Sequence, residues 1–305
     1  MATIVRVVLL GVVGVIAGSI AFNAVAYAGA ALHRRRQPPD CPLDEDQPGP
    51  WAGRTLAWLG AFVFECAVTA ILTLTLPLAF RRQRVRPLDG GDARRPVVLL
   101  HGYAQHAANF LWLMRRLRGD GWLHLYSVRH TAMRGDIEQS ALRLGDAIDR
   151  IRRESGAPFV DVIAHSMGGL VARACIRARG AGSGIGRLIT LGTPHQGTRA
   201  LGWLGRDRMV AQMRPDSPVF GRLAADDPVP SIVDCISIYS ADDALVVPAS
   251  AAYYPGAFNI EIRGLGHMSL LFSSRVYELV RENLAAAPEP RRSGARLGAR
   301  GPVPT

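Results

Sequence analysis

The sequence predicts an α/β architecture, a mostly parallel sheet flanked by helices, preceded by two transmembrane helices. Three observations lead there. Two long apolar runs lie ahead of Phe80, the first without a charge and the second with one. From Pro96 to Leu284, short apolar runs of strand length alternate with stretches of helical periodicity. Several of the strand-length runs end in turns that carry His, Ser or Asp, where an open parallel sheet places its chemistry.

The first run, Val7 to Leu32, is stopped by His33-Arg34-Arg35-Arg36. At ~1.5 Å per residue it reaches across a hydrocarbon core of ~30 Å. The second, Leu56 to Phe80, carries only Glu65 and is stopped by Arg81-Arg82-Gln83-Arg84. With spans at about 7–32 and 56–80, residues 1–84 read as a transmembrane hairpin around the polar loop Gln37 to Pro50. The first run is too long for a usual signal-peptide core, so Ala26-Tyr27-Ala28 is read as part of the span rather than a cleavage site. In an antiparallel pair Asn23 and Glu65 lie at similar depth, and a lone carboxylate in lipid is costly. An Asn23–Glu65 hydrogen bond is therefore expected, the alternative being that Glu65 faces a protein or water-filled surface elsewhere. Gly14-x-x-x-Gly18 offers a small-residue face for close helix packing.

A Pro/Gly/Arg linker, 85–95, leads into a domain expected over 96–284. Strands are expected at 96–100, 123–128, 159–164, 188–191, 236–239 and 258–262. Helices are expected at 107–117, 137–153, 168–179 and 270–284. Ile137, Leu142, Leu144, Ile148 and Ile151 recur at helical spacing with charges between them. The insertion Arg199 to Asp227 holds Trp203, Met209, Val210 and Met213, which reads as a short cap over an acyl pocket or as a scaffold helix. The tail 285–305, with Pro288, Pro290, Pro302 and Pro304, is expected to be disordered.

The chemistry-bearing residues fall at strand ends. Ala164-His165-Ser166-Met167-Gly168-Gly169 sets a serine on a sharp turn between a strand and a helix, where small neighbours are required. Ala164 stands where this turn usually has Gly. His101-Gly102-Tyr103 follows the first strand, so the Tyr103 and Met167 backbone N–H groups are expected to form an oxyanion hole. His267, in Gly264-Leu265-Gly266-His267 after the last strand, is the expected base. The acid between them is Asp243, with Asp242 as its rival. His195 and Trp203 are candidates for contact with substrate, as is His106.

Taken together these motifs resemble bacterial lipases and esterases of the alpha/beta-hydrolase superfamily, nearest to the small lipases whose nucleophile motif begins with Ala. The resemblance spans roughly 96–284 and includes Ser237 to Asp243, Gly264 to Leu271 and Leu191-Gly192-Thr193-Pro194-His195-Gln196-Gly197. It implies a Ser166–Asp243–His267 triad acting on a carboxylic ester, with no cofactor, and D-x-x-V-x-P again selects Asp243. The same triad serves thioesterases, phospholipases and acyltransferases, and a non-catalytic membrane-tethered module is the reading of another class. The outer flanks of the hairpin carry more Arg than its loop, which puts the domain on the cytoplasmic side of a bacterial inner membrane.

Composition narrows the partners. Four cysteines, widely spaced, exclude a disulfide scaffold and argue against a structural zinc site. No residue pattern marks a metal site. The net charge of +11 belongs largely to Arg clusters beside the spans and in the tail, so no nucleic-acid groove is expected. The expected partners are the membrane and a small acyl ester or lipid.

Overall fold

The computed structural model describes residues 2–36, 51–76, 94–128, 135–200, 207–224, 227 and 229–286. The hairpin loop, most of the linker, Trp203 and the tail beyond 286 lie outside these residues.

Two helices open the chain, α1 (Ala2–Arg36) and α2 (Trp51–Leu74). Six strands follow: β1 (Val97–Leu100), β2 (Leu125–Val128), β3 (Val160–His165), β4 (Ile185–Leu191), β5 (Asp234–Ser240) and β6 (Phe258–Ile262). They form one sheet in the order β2-β1-β3-β4-β5-β6, and every neighbouring pair is parallel. All six expected strands are present. A parallel sheet covered on both faces needs apolar side chains on both, so its strands appear in the sequence as unbroken apolar runs. Val97, Val98, Leu99 and Leu100 are all fully buried.

Alternate strand residues serve opposite faces. Val98 and Leu100 join a core with α4 (Ile137–Ser155) and α5 (Met167–Arg179), through Leu144, Ile148, Leu170 and Val171. Val97 and Leu99 join the other core with α3 (Leu111–Gly119) and α9 (Ser274–Ala285), through Leu113, Met114, Val276 and Val280. α4 begins where the Asp136 carboxylate accepts the Glu138 N–H and ends at Gly156, whose φ of 80° suits glycine. The chain moves one way from β1 to β2, then returns past β1 to β3 and continues to β6. The reversal creates a crevice beyond the carboxyl ends of β1 and β3.

The insertion is scaffold where it is described. α6 (Arg208–Gln212) and α7 (Pro218–Ala224) deliver Met209, Val210, Met213, Val219, Phe220 and Leu223 into the α4–α5 core. Gln212 also accepts the Ile137 N–H. These side chains pack as scaffold, one of the two readings of the insertion. A further short helix, α8 (Val229–Ile232), precedes β5.

The hairpin corrects three expectations. First, among the described residues one helix is long and apolar enough to cross a membrane, Arg6–His33. The apolar part of α2, Leu59–Leu74, is shorter. Second, Asn23 does not bond Glu65. Its amide donates to Thr69 Oγ1 at 3.2 Å and to the Ser19 carbonyl at 2.9 Å. Glu65 faces the α/β domain instead, where it accepts the Met268 and Ser269 N–H groups, because α2 packs its Val68 and Leu72 into the α3–α9 core. Third, Gly14 and Gly18 face open space, and the packed stripe of α1 is Ser19, Asn23, Ala26, Tyr27 and Ala30.

Candidate active site

Ser166 lies between β3 and α5 with φ 56° and ψ −130°, a backbone conformation that costs energy in any L-residue. The turn holds this strain through close neighbours. A Cβ on Gly102 would stand 2.8 Å from Ser166 Cβ. One on Gly168 would stand 2.5 Å from the Leu100 carbonyl oxygen, and one on Gly169 2.1 Å from Thr193 Oγ1. None of these positions tolerates a side chain without displacement. The Ala164 methyl, by contrast, is accommodated in the α4–α5 core. The Ser166 N–H donates to the Leu191 carbonyl at 2.9 Å, and Thr193 Oγ1 donates to the Ser166 carbonyl at 2.8 Å. Loops beyond β4 thus fix the serine from the other side.

His267, on the loop after β6, donates from Nδ1 to Asp243 Oδ2 at 2.7 Å, and both side chains are buried. Asp243 Oδ1 accepts the Leu245 and Val246 N–H groups at 2.7 and 3.0 Å, which fixes the carboxylate plane. Asp242 has a different task. Its Oδ2 accepts the Gly264 N–H at 2.7 Å and ties the acid loop to the histidine loop. Gly192 makes the pair possible, since a Cβ there would meet Asp243 Oδ2 at 3.2 Å and His267 Nδ1 at 3.3 Å. Burial alone would lower the pKa of His267. The Asp243 carboxylate and its hydrogen bond outweigh that, with Glu65 adding, so the imidazole is raised above its usual range.

His165 joins the two halves. Its Nε2 donates to the His267 carbonyl at 3.0 Å, and the two rings lie 4.7 Å apart. Its Nδ1 then accepts from Gln105 Nε2 at 2.8 Å, while Gln105 Oε1 accepts the Gly102 N–H at 2.7 Å. Burial keeps His165 far below the usual histidine range, so it is neutral, as this pattern requires. Met167 is the first residue of α5, where amide groups lack partners within the helix. Tyr103 follows Gly102 in the loop after β1.

A family model described as a PGAP1-like alpha/beta domain matches residues 126–203, from β2 through the Ser166 turn to beyond β4. Among solved structures, the mature form of Bacillus licheniformis lipase BlEst2 superposes with a TM-score of 0.58 at 17% identity, covering 66% of this chain and 96% of that one. Aspergillus fumigatus lipase B superposes with a TM-score of 0.59 at 17% identity, covering 69% of this chain and 57% of that one. The chain has the alpha/beta-hydrolase fold. In this fold the Ser166 turn, the Asp243 loop and the His267 loop all stand at carboxyl ends of strands.

Other expected contacts lie elsewhere in the fold. His195 is buried, stacks on Tyr254 at 4.1 Å and reaches Thr190 Oγ1 at 3.0 Å, so its ring belongs to the scaffold. His106 Nε2 donates to the Leu72 carbonyl of α2 at 3.0 Å and serves as a tether to the hairpin. Sequence reasoning missed Gln105, whose only signal is its place three residues after Gly102. It also missed the hairpin's position beside the site. Ala26, Tyr27 and Ala30 of α1 pack with Ala244 and Val247 of the acid loop. Among the described residues no group of three or more His, Cys, Asp or Glu side chains is arranged to hold a metal ion.

Proposed function

We propose that this chain is a membrane-anchored serine hydrolase of carboxylic esters, with lipid-like acyl esters as its substrates. The reading is supported by the buried Asp243–His267 pair together with a serine on a strained turn, both at carboxyl ends of strands of one sheet. His267 takes the Ser166 proton as Oγ attacks the acyl carbonyl, and Asp243 holds the imidazole in the tautomer that leaves Nε2 free to accept. The Tyr103 and Met167 N–H groups receive the oxyanion, a contribution of several kcal/mol for a pair of fixed donors. His267 then protonates the departing alcohol, and a water attacks the acyl-enzyme by the same route in reverse. No step calls for a cofactor.

The membrane part of the reading is supported by α1. Val7, Val8, Leu9 and Leu10 are each 60% or more exposed, an arrangement suited to lipid and costly in water. Packing of Ala26 and Tyr27 on the acid loop favours a helix that is retained rather than cleaved. We infer the cytoplasmic side for the domain from the Arg residues beside the apolar runs, and a reporter fused after Thr305 tests this directly.

The decisive experiment labels the detergent-solubilised full chain with a fluorophosphonate, wild type beside Ser166→Ala. Labelling that disappears with Ser166 is expected, and labelling that is absent or indifferent to Ser166 overturns the reading. A series of p-nitrophenyl esters should then favour long acyl chains. Activity confined to short soluble esters would remove the lipid substrate.

A further inference from the structure

We propose that Glu65 is a positioning residue for the His267 loop, so that the docked hairpin is a working part of the active site rather than a tether. The proposal rests on His267 being the base of the hydrolase reading.

Glu65 is the one carboxylate of an apolar helix, and it is 1% exposed. It is nevertheless satisfied. Its Oε1 accepts the Met268 N–H at 2.5 Å, and its Oε2 accepts the Ser269 N–H at 2.8 Å. These two amides open the helical turn Ser269–Leu271, where such groups lack partners of their own. A buried carboxylate without donors would cost several kcal/mol, so this contact is what allows Glu65 in α2 at all. It also places the anion one residue from the catalytic imidazole.

The other side of His267 is held by the same carboxylate. A Cβ on Gly266 would meet Glu65 Oε2 at 2.5 Å and the Tyr27 hydroxyl at 2.7 Å, so both helices of the hairpin press on this glycine. His267 is thus bracketed, with Gly266 against the hairpin before it and two amides bonded to the hairpin after it. The hydrolase side clamps the same loop through Gln105 Nε2, which donates to Met268 Sδ at 3.1 Å, and through His165. The hairpin is seated independently of Glu65 by Val68 and Leu72 in the core and by the His106–Leu72 bond. Removing the carboxylate should therefore loosen the loop and leave α2 in place.

Among the described residues, Asp243, Glu65 and His165 are titratable groups that face His267, with the Tyr27 hydroxyl against the preceding Gly266. This gives a readout that a purely structural role would not move. Glu65→Gln keeps the shape, loses one of the two acceptors and removes a negative charge beside the imidazolium. In the full chain in detergent, its fluorophosphonate labelling rate and kcat should fall roughly 10- to 100-fold, the scale of a small misplacement of a catalytic group. KM should stay near wild type. The acid limb of kcat/KM should move to lower pH, while Glu65→Asp, which keeps the charge, should hold the limb.

A folded Glu65→Gln protein that labels at the wild-type rate with an unmoved limb overturns the proposal. If Glu65→Gln does not fold, Gly266→Ala asks the same question from the loop, because its methyl drives the carboxylate away. A matching loss of labelling supports the proposal, and a wild-type rate in folded Gly266→Ala overturns it. Wild-type chain that shows no Ser166-dependent labelling sinks the hydrolase reading itself, whereas equal labelling of wild type and variants sinks only the role of Glu65.

Discussion

Two aspartates adjacent in sequence, Asp242 and Asp243, should differ in their effect on turnover by about three orders of magnitude. Asp243 uses all of its acceptor capacity on the site. Oδ2 accepts the hydrogen bond from His267 Nδ1 at 2.7 Å, and Oδ1 accepts from two backbone N–H groups. In Asp243→Asn the amide has one oxygen. That oxygen stays with the Leu245 and Val246 amides, and the new NH₂ group faces His267 Nδ1. The imidazole must then accept at Nδ1 and carry its proton at Nε2, the wrong tautomer for a base. The analogous change in a serine protease triad lowers kcat by ~10⁴, and a similar loss is expected here. Asp242→Asn keeps an oxygen for the Gly264 N–H and stands partly exposed, so its cost should be at most about 1 kcal/mol, within tenfold in rate. The assay is burst and steady-state hydrolysis of a p-nitrophenyl ester, with circular dichroism to show that both variants fold. Comparable losses, or a larger loss in Asp242→Asn, would refute the assignment of the acid.

Further outcomes are expected. Because His267 is raised above its usual value of ~6.5, the acid limb of kcat/KM should lie above pH ~6.5, and Asp243→Asn should remove the main cause of that elevation. The same shift has the opposite consequence for stability. The pair's contribution is fully present below pH ~6.5 and is lost as pH rises through the raised folded value, so apparent Tm and activity should diverge across that window. Gly169→Ala should destabilise by roughly 1–3 kcal/mol, because its methyl collides with Thr193. Combined with Thr193→Ala it should cost less than the sum of the two single changes, and strict additivity in thermal unfolding would contradict the contact. Asn23→Ala should weaken the α1–α2 contact by about 1 kcal/mol while Asn23 with Thr69→Val does nearly the same, whereas a much larger loss for either would point to a different partner.

The sheet was legible because burial on both faces turns each parallel strand into a run of apolar residues, of which 97–100 and 160–164 are the clearest. The Ser166 turn was legible because close backbone approach leaves few residue types for its neighbours, and glycine at 168 and 169 is such a mark. Asp243 stood out through its local sequence, and its partner through chain order. The hairpin was misread for a physical reason. A helix with one face on a protein core and another on lipid is as apolar as one surrounded by lipid, so hydropathy could not reveal that Val68 and Leu72 enter the domain. The partner of Glu65 was hidden for the same reason, as it lies more than two hundred positions away on a loop that no periodicity connects to it. Met209, Val210 and Met213 are equally apolar as cap or as core, and only packing distinguishes the two. Gln105 carries no signal beyond its place three residues after Gly102.

The stripe on α1 has a consequence for depth. Among the described residues its packing on the domain starts at Ala26, which leaves Arg6 to Val25 clear of it. At ~1.5 Å per residue that portion measures ~30 Å, about the thickness of a hydrocarbon layer. On the membrane reading, the docked part of α1 begins where the hydrocarbon ends. The loops bearing Asp243 and His267 would then sit at the level of the lipid headgroups, where an acyl ester could slide sideways out of one leaflet and never cross bulk water.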